Sequence, residues 1–264
     1  MATFWNRINL DMMAQLPRIF FMLLLVSVRP MLQAQPGDSR YFEMRTYTAH
    51  AEKRPDLIRR FKEHTLRLLA KHGIDNVAYF LPVDENMNTL TFVLAYPSRA
   101  DRDQRWNQFI ADPRWKRAAA KSEENGKLVA QVDQTFMHIA PELSAVISPN
   151  AVPRGQVFEL RTYTCLPGRL PALKARFKDH TRALFAKHGM KNVVYWESVE
   201  AEGQQPKLLY LLSHSSVEAA RASFDAFRSD SEWIAVRDAS EADGKIVEKL
   251  ESVFFKPLPF SPLK

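Results

Sequence analysis

The sequence predicts an α+β protein: two tandem units of β-α-β-β-α-β order, their sheets facing one another as a barrel within one chain. Three observations carry that prediction. First, YFEMRTYT at Tyr41–Thr48 returns as VFELRTYT at Val157–Thr164, FKEHT at Phe61–Thr65 as FKDHT at Phe177–Thr181, and AKHG at Ala70–Gly73 as AKHG at Ala186–Gly189, each at an offset of 116. A loop two residues longer in the second copy raises the offset to 118, at which Trp115 meets Trp233 and Gly126–Lys127 meets Gly244–Lys245. Second, the hydrophobic period in each unit switches between that of a strand and that of a helix. Third, LTFVLAY (Leu90–Tyr96) and LLYLL (Leu208–Leu212) are apolar on both faces. A sheet with helices on one side and water on the other would alternate, so the second face is covered as well, and the sister sheet is the obvious cover.

The elements of the first unit follow in order. Tyr41–Thr48 alternates and is rich in aromatic and β-branched residues, which predicts a strand. Pro55 to His72 carries apolar residues at Leu57, Phe61, Leu68 and Leu69, an amphipathic helix with Pro in its first turn and Gly73 just past its end. Asn76–Pro82 and Thr89–Tyr96 are two strands joined through Asp84–Asn88; Arg99–Ala111 and Arg114–Glu124 are helices; Leu128–Met137 is the last strand. This is the ferredoxin-like order. The first repeat therefore covers 41–138 and the second 157–255, with a linker at 139–156 that holds three prolines and a glycine, and a C-terminal tail at 256–264. Pro257, Pro259 and Phe260 give that tail an extended form suited to packing on the body or on a partner.

Hydrophobic content of 46% and charged content of 25% are those of a globular protein. Residues 19–28, IFFMLLLVSV, follow Arg18 and form an apolar run too short to span a bilayer, which takes about 20 residues. The run matches the core of a secretory signal, so residues 1–34 are expected to be a signal peptide cleaved after Ala34 and the protein to be exported, periplasmic or secreted. An uncleaved anchor and a mitochondrial presequence are the alternatives. No Cys follows the run, which argues against a lipoprotein. Without those residues the formal charge falls from +7 to +5, as 34 basic residues stand against 29 acidic. Basic and acidic residues are mixed along the helices, the pattern of a solvated surface and not of a nucleic-acid face. The single cysteine, Cys165, excludes an intrachain disulfide and a cysteine zinc site. There is no phosphate loop, no i, i+4 histidine pair and no nucleophile elbow, and the strands lack the aromatic signature of RNA-binding βαββαβ domains.

Two groups of residues could carry chemistry. On a helical wheel Leu57, Phe61, His64, Leu68 and His72 share a stripe, as do Leu173, Phe177, His180, Leu184 and His188. That places His64 and His180 on the buried face, either as hydrogen-bonded core histidines or as pocket acids, bases or ligands. His72 and His188 sit at a helix end, where an imidazolium favours the dipole. On the first strand Glu43, Arg45 and Tyr47 share one face, repeated by Glu159, Arg161 and Tyr163. If buried, each Glu–Arg pair must neutralise itself; it then fixes register, or it holds an anionic or carbonyl ligand. If this face meets the helices, it forms one pocket with His64. If it looks into the barrel, the two belong to separate layers. Apolar packing under Leu57 and Phe61 favours Phe42 and Met44 against the helix and the charged set inside the barrel.

The paired FEMRTYT/FELRTYT, FKEHT/FKDHT and KHG motifs and the matched tryptophans resemble the NIPSNAP family over nearly all of Tyr41–Phe255. The resemblance implies the dimeric α+β barrel superfamily, here as tandem ferredoxin-like repeats forming an intrachain barrel. That superfamily includes small monooxygenases, haem-degrading enzymes and haem proteins of the chlorite-dismutase type, whereas NIPSNAP proteins have no settled catalytic role. A signal-like N-terminus departs from the mitochondrial animal members and points to an exported bacterial relative. The expected function is small-molecule or partner binding through a barrel pocket. The alternative is a small oxidoreductase or monooxygenase, cofactor-independent or haem-using. No cofactor is expected, although haem ligation through His64 or His180 stays open, and no metal site or transmembrane span of the mature chain is expected. One chain supplies both halves of a barrel, so a monomeric pseudo-dimer suffices.

Overall fold

A computed structural model describes residues 38–144, 152, 154–199 and 203–264. The expected signal peptide at 1–34 lies outside the described residues, as does most of the second half of the 139–156 linker.

Each repeat folds in the expected order. In the first, β1 (Tyr41–Ala49) leads into one continuous helical rod made of α1 (Arg54–Arg60), a π-helical turn (Phe61–Thr65) and α2 (Leu66–Lys71). The hairpin β2 (Asp75–Pro82) and β3 (Thr89–Tyr96) follows, then α3 (Arg99–Ala111), α4 (Pro113–Ser122) and β4 (Val129–Ile139). The second repeat runs β5 (Val157–Cys165), α5 (Leu170–Arg176), a π-turn (Phe177–Thr181), α6 (Arg182–Lys187), β6 (Lys191–Ser198), β7 (Lys207–His214), α7 (Val217–Arg228), α8 (Ser231–Ser240) and β8 (Val247–Pro257). Pro55 lies in the first turn of α1. Gly73, at φ 72°, ends the rod in the left-handed region that only glycine enters freely, and the Arg105 guanidinium donates to its carbonyl. Ser98 caps α3 by accepting from the Asp101 amide at 3.1 Å.

The eight strands of the described residues close one antiparallel barrel in the order β1-β3-β2-β8-β5-β7-β6-β4. Each repeat contributes a four-stranded sheet, and two short seams join them: Phe80–Pro82 of β2 with Phe255–Pro257 of β8, and Met137–Ile139 of β4 with Trp196–Ser198 of β6. Closure explains why the third strands are apolar on both faces. One core fills the barrel, where Phe42, Met44 and Val93 of the first repeat meet Phe158, Trp196 and Phe255 of the second. Two further cores, one per repeat, lie between the sheet and its helices.

The segments after the last strands are docked. Leu258 donates to the Tyr79 carbonyl at 2.9 Å, Ser261 accepts from the Tyr79 amide at 2.9 Å, and Leu258, Ser261 and Leu263 are buried. The start of the expected linker repeats this arrangement. Ile139 is still strand, Ala140 donates to the Tyr195 carbonyl at 3.0 Å, and Ser144 accepts from the Tyr195 amide at 2.7 Å. Each repeat thus latches onto the second strand of the other. Among the described residues no helix is long and apolar enough to cross a membrane.

Candidate functional site

The strand parity is the reverse of the favoured expectation. Phe42 and Met44 belong to the barrel core, while Tyr41 and Tyr47 pack in the layer between sheet and helices. Glu43 and Arg45 share the face of Tyr47 and therefore lie under the helices, and Glu159, Arg161 and Tyr163 repeat this. The reason is satisfaction of charge. The inward faces carry apolar side chains and a few hydroxyls, such as Thr46 and Thr91, which hydrogen-bond to each other at 3.0 Å, whereas the helix layer supplies Arg102, Tyr96 and His214 as partners for a charge, and a buried ion without partners is costly. Aromatic residues take the place foreseen for Phe42 and Met44 beneath the helix: the Phe61 ring meets Phe92 at 5.0 Å and Tyr47 at 6.1 Å.

His64 and His180 do not join them, and their expected burial is corrected. The His64 side chain is 43% exposed and its nearest charged partner is Glu63 at 4.0 Å; His180 is exposed. In both helical rods the FKEHT and FKDHT segments form a π-turn, closed by the Leu66 amide donating to the Phe61 carbonyl and Arg182 to Phe177. One extra residue in a turn rotates the following side chain by about 100°. The buried stripe becomes Leu57, Phe61, Thr65 and Leu68–Leu69, and Thr65 donates its hydroxyl to the Arg60 carbonyl at 3.2 Å. His72 and His188 do sit at the helix ends, against the carboxylates that cap α4 and α8: Asp112 at 3.0 Å and Asp230 at 2.7 Å.

Glu43 is fully buried and takes four hydrogen bonds. Arg45 donates at 2.5 Å, Arg102 on α3 at 2.8 and 3.0 Å, and the Tyr96 hydroxyl at 3.0 Å. Burial works to raise the carboxyl, but the hydrogen bonds from Arg102 and the charges of Arg45 and Arg102 outweigh it and hold Glu43 below the ordinary carboxylate value. Burial, with Glu43 beside it, pushes the Tyr96 phenol far up, so it stays protonated. Arg45 also donates to Gln134 at 3.1 Å and lies 4.4 Å from the Trp106 ring centre and 5.4 Å from that of Tyr47.

In the second repeat Glu159 accepts from Arg161 at 2.6 Å, from Ser252 at 2.6 Å and from His214 at 3.0 Å. Burial again opposes ionisation and is again outweighed, here by the His214 bond, the Arg161 charge and the Ser252 bond, so Glu159 is held low. An ionised carboxylate only accepts, so His214 donates from Nε2. Every nitrogen of Arg161 has a partner: besides the bond to Glu159, its Nε donates to Tyr210 at 3.1 Å and its far nitrogen to Tyr163 at 3.3 Å. At 118 residues' offset Tyr210 corresponds to Phe92, which has no hydroxyl. Accordingly the Arg45 Nε is buried with no hydrogen-bond partner.

Under α3 and α4 lies a cavity of about 70 Å³, walled by Tyr47, Phe61, Phe92, Trp106, Phe109 and Trp115, with Ile110 and Arg60 also on its lining, and the Arg60 Nε is buried with no hydrogen-bond partner. The Tyr47 hydroxyl makes no hydrogen bond among the described residues. Chemically, the place offers flat apolar walls, an unspent guanidinium N–H next to them and a phenol. Of the foreseen residues, the structure assembles Glu43, Arg45 and Tyr47, and likewise Glu159, Arg161 and Tyr163. Sequence reasoning missed Arg102, Tyr96 and His214. Tyr96 and His214 had a signal, as each closes an apolar third strand with a polar atom, but what they touch is set by the packing.

The NIPSNAP family model matches residues 42–142 and 158–262. Among curated proteins none matches in sequence. The barrel resembles an anthrone oxidase-like protein (TM-score 0.55, 15% identity, 86% of this chain and 95% of that one). It also resembles a provisionally assigned monooxygenase from Lactobacillus acidophilus (TM-score 0.53, 10% identity, 83% and 94%). Identities this low establish a shared fold and nothing more. A NIPSNAP family protein from Agrobacterium tumefaciens covers 44% of this chain and 98% of its own at 21% identity, with a TM-score of 0.36.

Proposed function

From the premise that the chain belongs to the NIPSNAP family, we propose that it is an exported small-molecule-binding protein whose ligand sits between sheet and helices, not inside the barrel. One observation carries the reading: the aromatic cavity under α3 and α4 has on its lining Arg60, a buried arginine whose Nε lacks a partner. A buried unsatisfied donor costs about 1–3 kcal/mol, and a ligand acceptor that reached it would recover that cost. The barrel interior also holds a buried donor without a partner, the Trp196 Nε1, but it is packed with Phe42, Phe80, Phe158 and Trp196. Export rests on the N-terminal apolar run alone.

The test is native mass spectrometry with an absorption spectrum on protein purified gently from its own host. A mature mass lacking 1–34 together with a bound small molecule would support both parts. A chain beginning at Met1 would remove export. A clean ligand-free mass would count against the binding reading. A visible haem band would instead favour the oxidoreductase alternative, with which the fold of the monooxygenase-like neighbours is compatible.

A further inference from the structure

The strand register puts the start of β5 beside the end of β8: Phe158 stands opposite Phe255, so Val157 lies next to Lys256. Gly155, at φ 82°, turns the chain just before β5. After β8 the tail turns as well, the Ser261 amide donating to the Leu258 carbonyl at 2.8 Å and the Lys264 ammonium to the Pro259 carbonyl at 3.0 Å. These two segments enclose a cleft of about 390 Å³. Val157 and Leu258, both buried, and the half-buried Pro257 form its floor, while Arg154, Lys256 and Lys264 stand at its rim. Among the described residues no acidic side chain lines the cleft, and none of the three cations forms an ion pair with a carboxylate.

The same place in the first repeat is closed from within. At the offsets of the duplication Arg154 corresponds to Asp38, Val157 to Tyr41 and Lys256 to His138. The Asp38 carboxylate is held by Arg40 at 2.6 Å. The Tyr41 ring lies 5.5 Å from Phe136 and 5.2 Å from His138, and its hydroxyl accepts from Arg99 at 3.0 Å. The first repeat thus brings its own carboxylate and its own ring, each with a partner. The second has a cation where the carboxylate was, a small aliphatic side chain where the ring was, and an open cleft.

Three like charges at the rim of an apolar cleft repel one another and are relieved by an anion. The volume falls within the range of about 300–1,000 Å³ typical of small-molecule sites. We infer that this cleft, separate from the cavity under α3 and α4, binds a small aromatic carboxylate. The ring rests on Val157 and Leu258, and the carboxylate lies among Arg154, Lys256 and Lys264. The ligand then supplies what Tyr41 and Asp38 supply in the first repeat.

The experiment is a fluorine NMR titration of the purified protein with 6-fluoro-2-naphthoate. The corresponding naphthamide is the neutral comparison, and acetate is a competitor with the charge and no ring. The expected result is saturable binding of the naphthoate that weakens as salt screens the rim, with the naphthamide bound roughly tenfold less tightly and no displacement by acetate at equal concentration. Arg154→Gln combined with Lys256→Gln removes two exposed charges that make no bond in the fold, and is expected to weaken the naphthoate roughly fivefold. Val157→Tyr, which copies the first repeat, is expected to abolish binding by filling the floor. Circular dichroism checks that each variant is folded; should Val157→Tyr fail to fold, the double charge variant still decides. Naphthoate binding unchanged in the double variant would overturn the assignment to this cleft. Equal binding of the naphthamide would overturn the anionic class, and displacement by equal acetate the aromatic one. No binding of the naphthoate would overturn the inference as a whole, while the reading of the cavity under α3 and α4 rests on its own test.

Discussion

At the scale of single residues, Glu43 and Glu159 hold charges that the fold cannot leave unpaired. Replacing Glu43 by Gln strands Arg45 and Arg102 around a neutral group. Removing one partner of a buried pair costs roughly 3–5 kcal/mol, so E43Q is expected to lower the urea midpoint by that equivalent without changing the slope, read by equilibrium unfolding. His64 gives the contrary expectation. Its side chain is half-exposed and His180 is exposed, and H64A and H180A should each shift stability by less than about 0.5 kcal/mol. A loss of more than about 2 kcal/mol in H64A would show that it is packed after all. Acid dependence follows from the carboxylates. Glu43 and Glu159 sit below their ordinary value of 4.5, and Asp112 and Asp230 below 3.8. A depressed folded-state value means stabilisation that is complete above the unfolded value and lost as pH falls through the folded one. Stability should therefore be flat in these groups above about pH 5.5 and decline steadily below about 4.5, measured as unfolding free energy against pH.

At the scale of elements, the two helical rods repeat one device: a π-turn that turns Thr65 and Thr181 inward and His64 and His180 outward. The rod then ends against the next helix pair through Asp112 or Asp230. Asp230 caps α8 by accepting from the Glu232 amide at 2.9 Å, while Lys187 and His188 both donate to its other oxygen at 2.7 Å. The Lys187 and His188 bonds hold the Asp230 carboxyl far below its ordinary value. Losing a cap costs typically about 1 kcal/mol, and two further donors go unanswered here. Asp230→Ala is accordingly expected to cost about 2 kcal/mol, with Asp112→Ala similar, by thermal or urea melts.

At the scale of the whole molecule, closure depends on two three-residue seams and on two latches that cross between repeats. The C-terminal latch buries Leu258 and Leu263 against β2. Each buried leucine is worth about 1.5–3 kcal/mol, so ending the chain after Pro257 is expected to destabilise by at least about 3 kcal/mol. Unfolding of the intact mature chain should show a single transition by both fluorescence and circular dichroism, because neither sheet can cover its inner face alone. Two separated transitions would show that the repeats are independent units.

The sequence by itself determined the duplication, the order of elements and the existence of a two-sided sheet. Identity at a fixed offset and the change of hydrophobic period are local properties, readable without knowing what touches what. It also marked Glu43, Arg45, Tyr47 and their copies as a set, because alternate residues of a strand share a face. Only the tertiary structure decided which face that is. When both sides of a strand are buried, the pattern carries no sign, and the choice falls to whichever layer supplies partners such as Arg102, Tyr96 and His214, all distant in the chain. Nor could helical spacing place His64, since one inserted residue in FKEHT rotates every later side chain. The asymmetry between Phe92 and Tyr210 stood in the sequence as a single substitution. It acquired meaning only when folding brought that position beside the Nε of an arginine on the neighbouring strand.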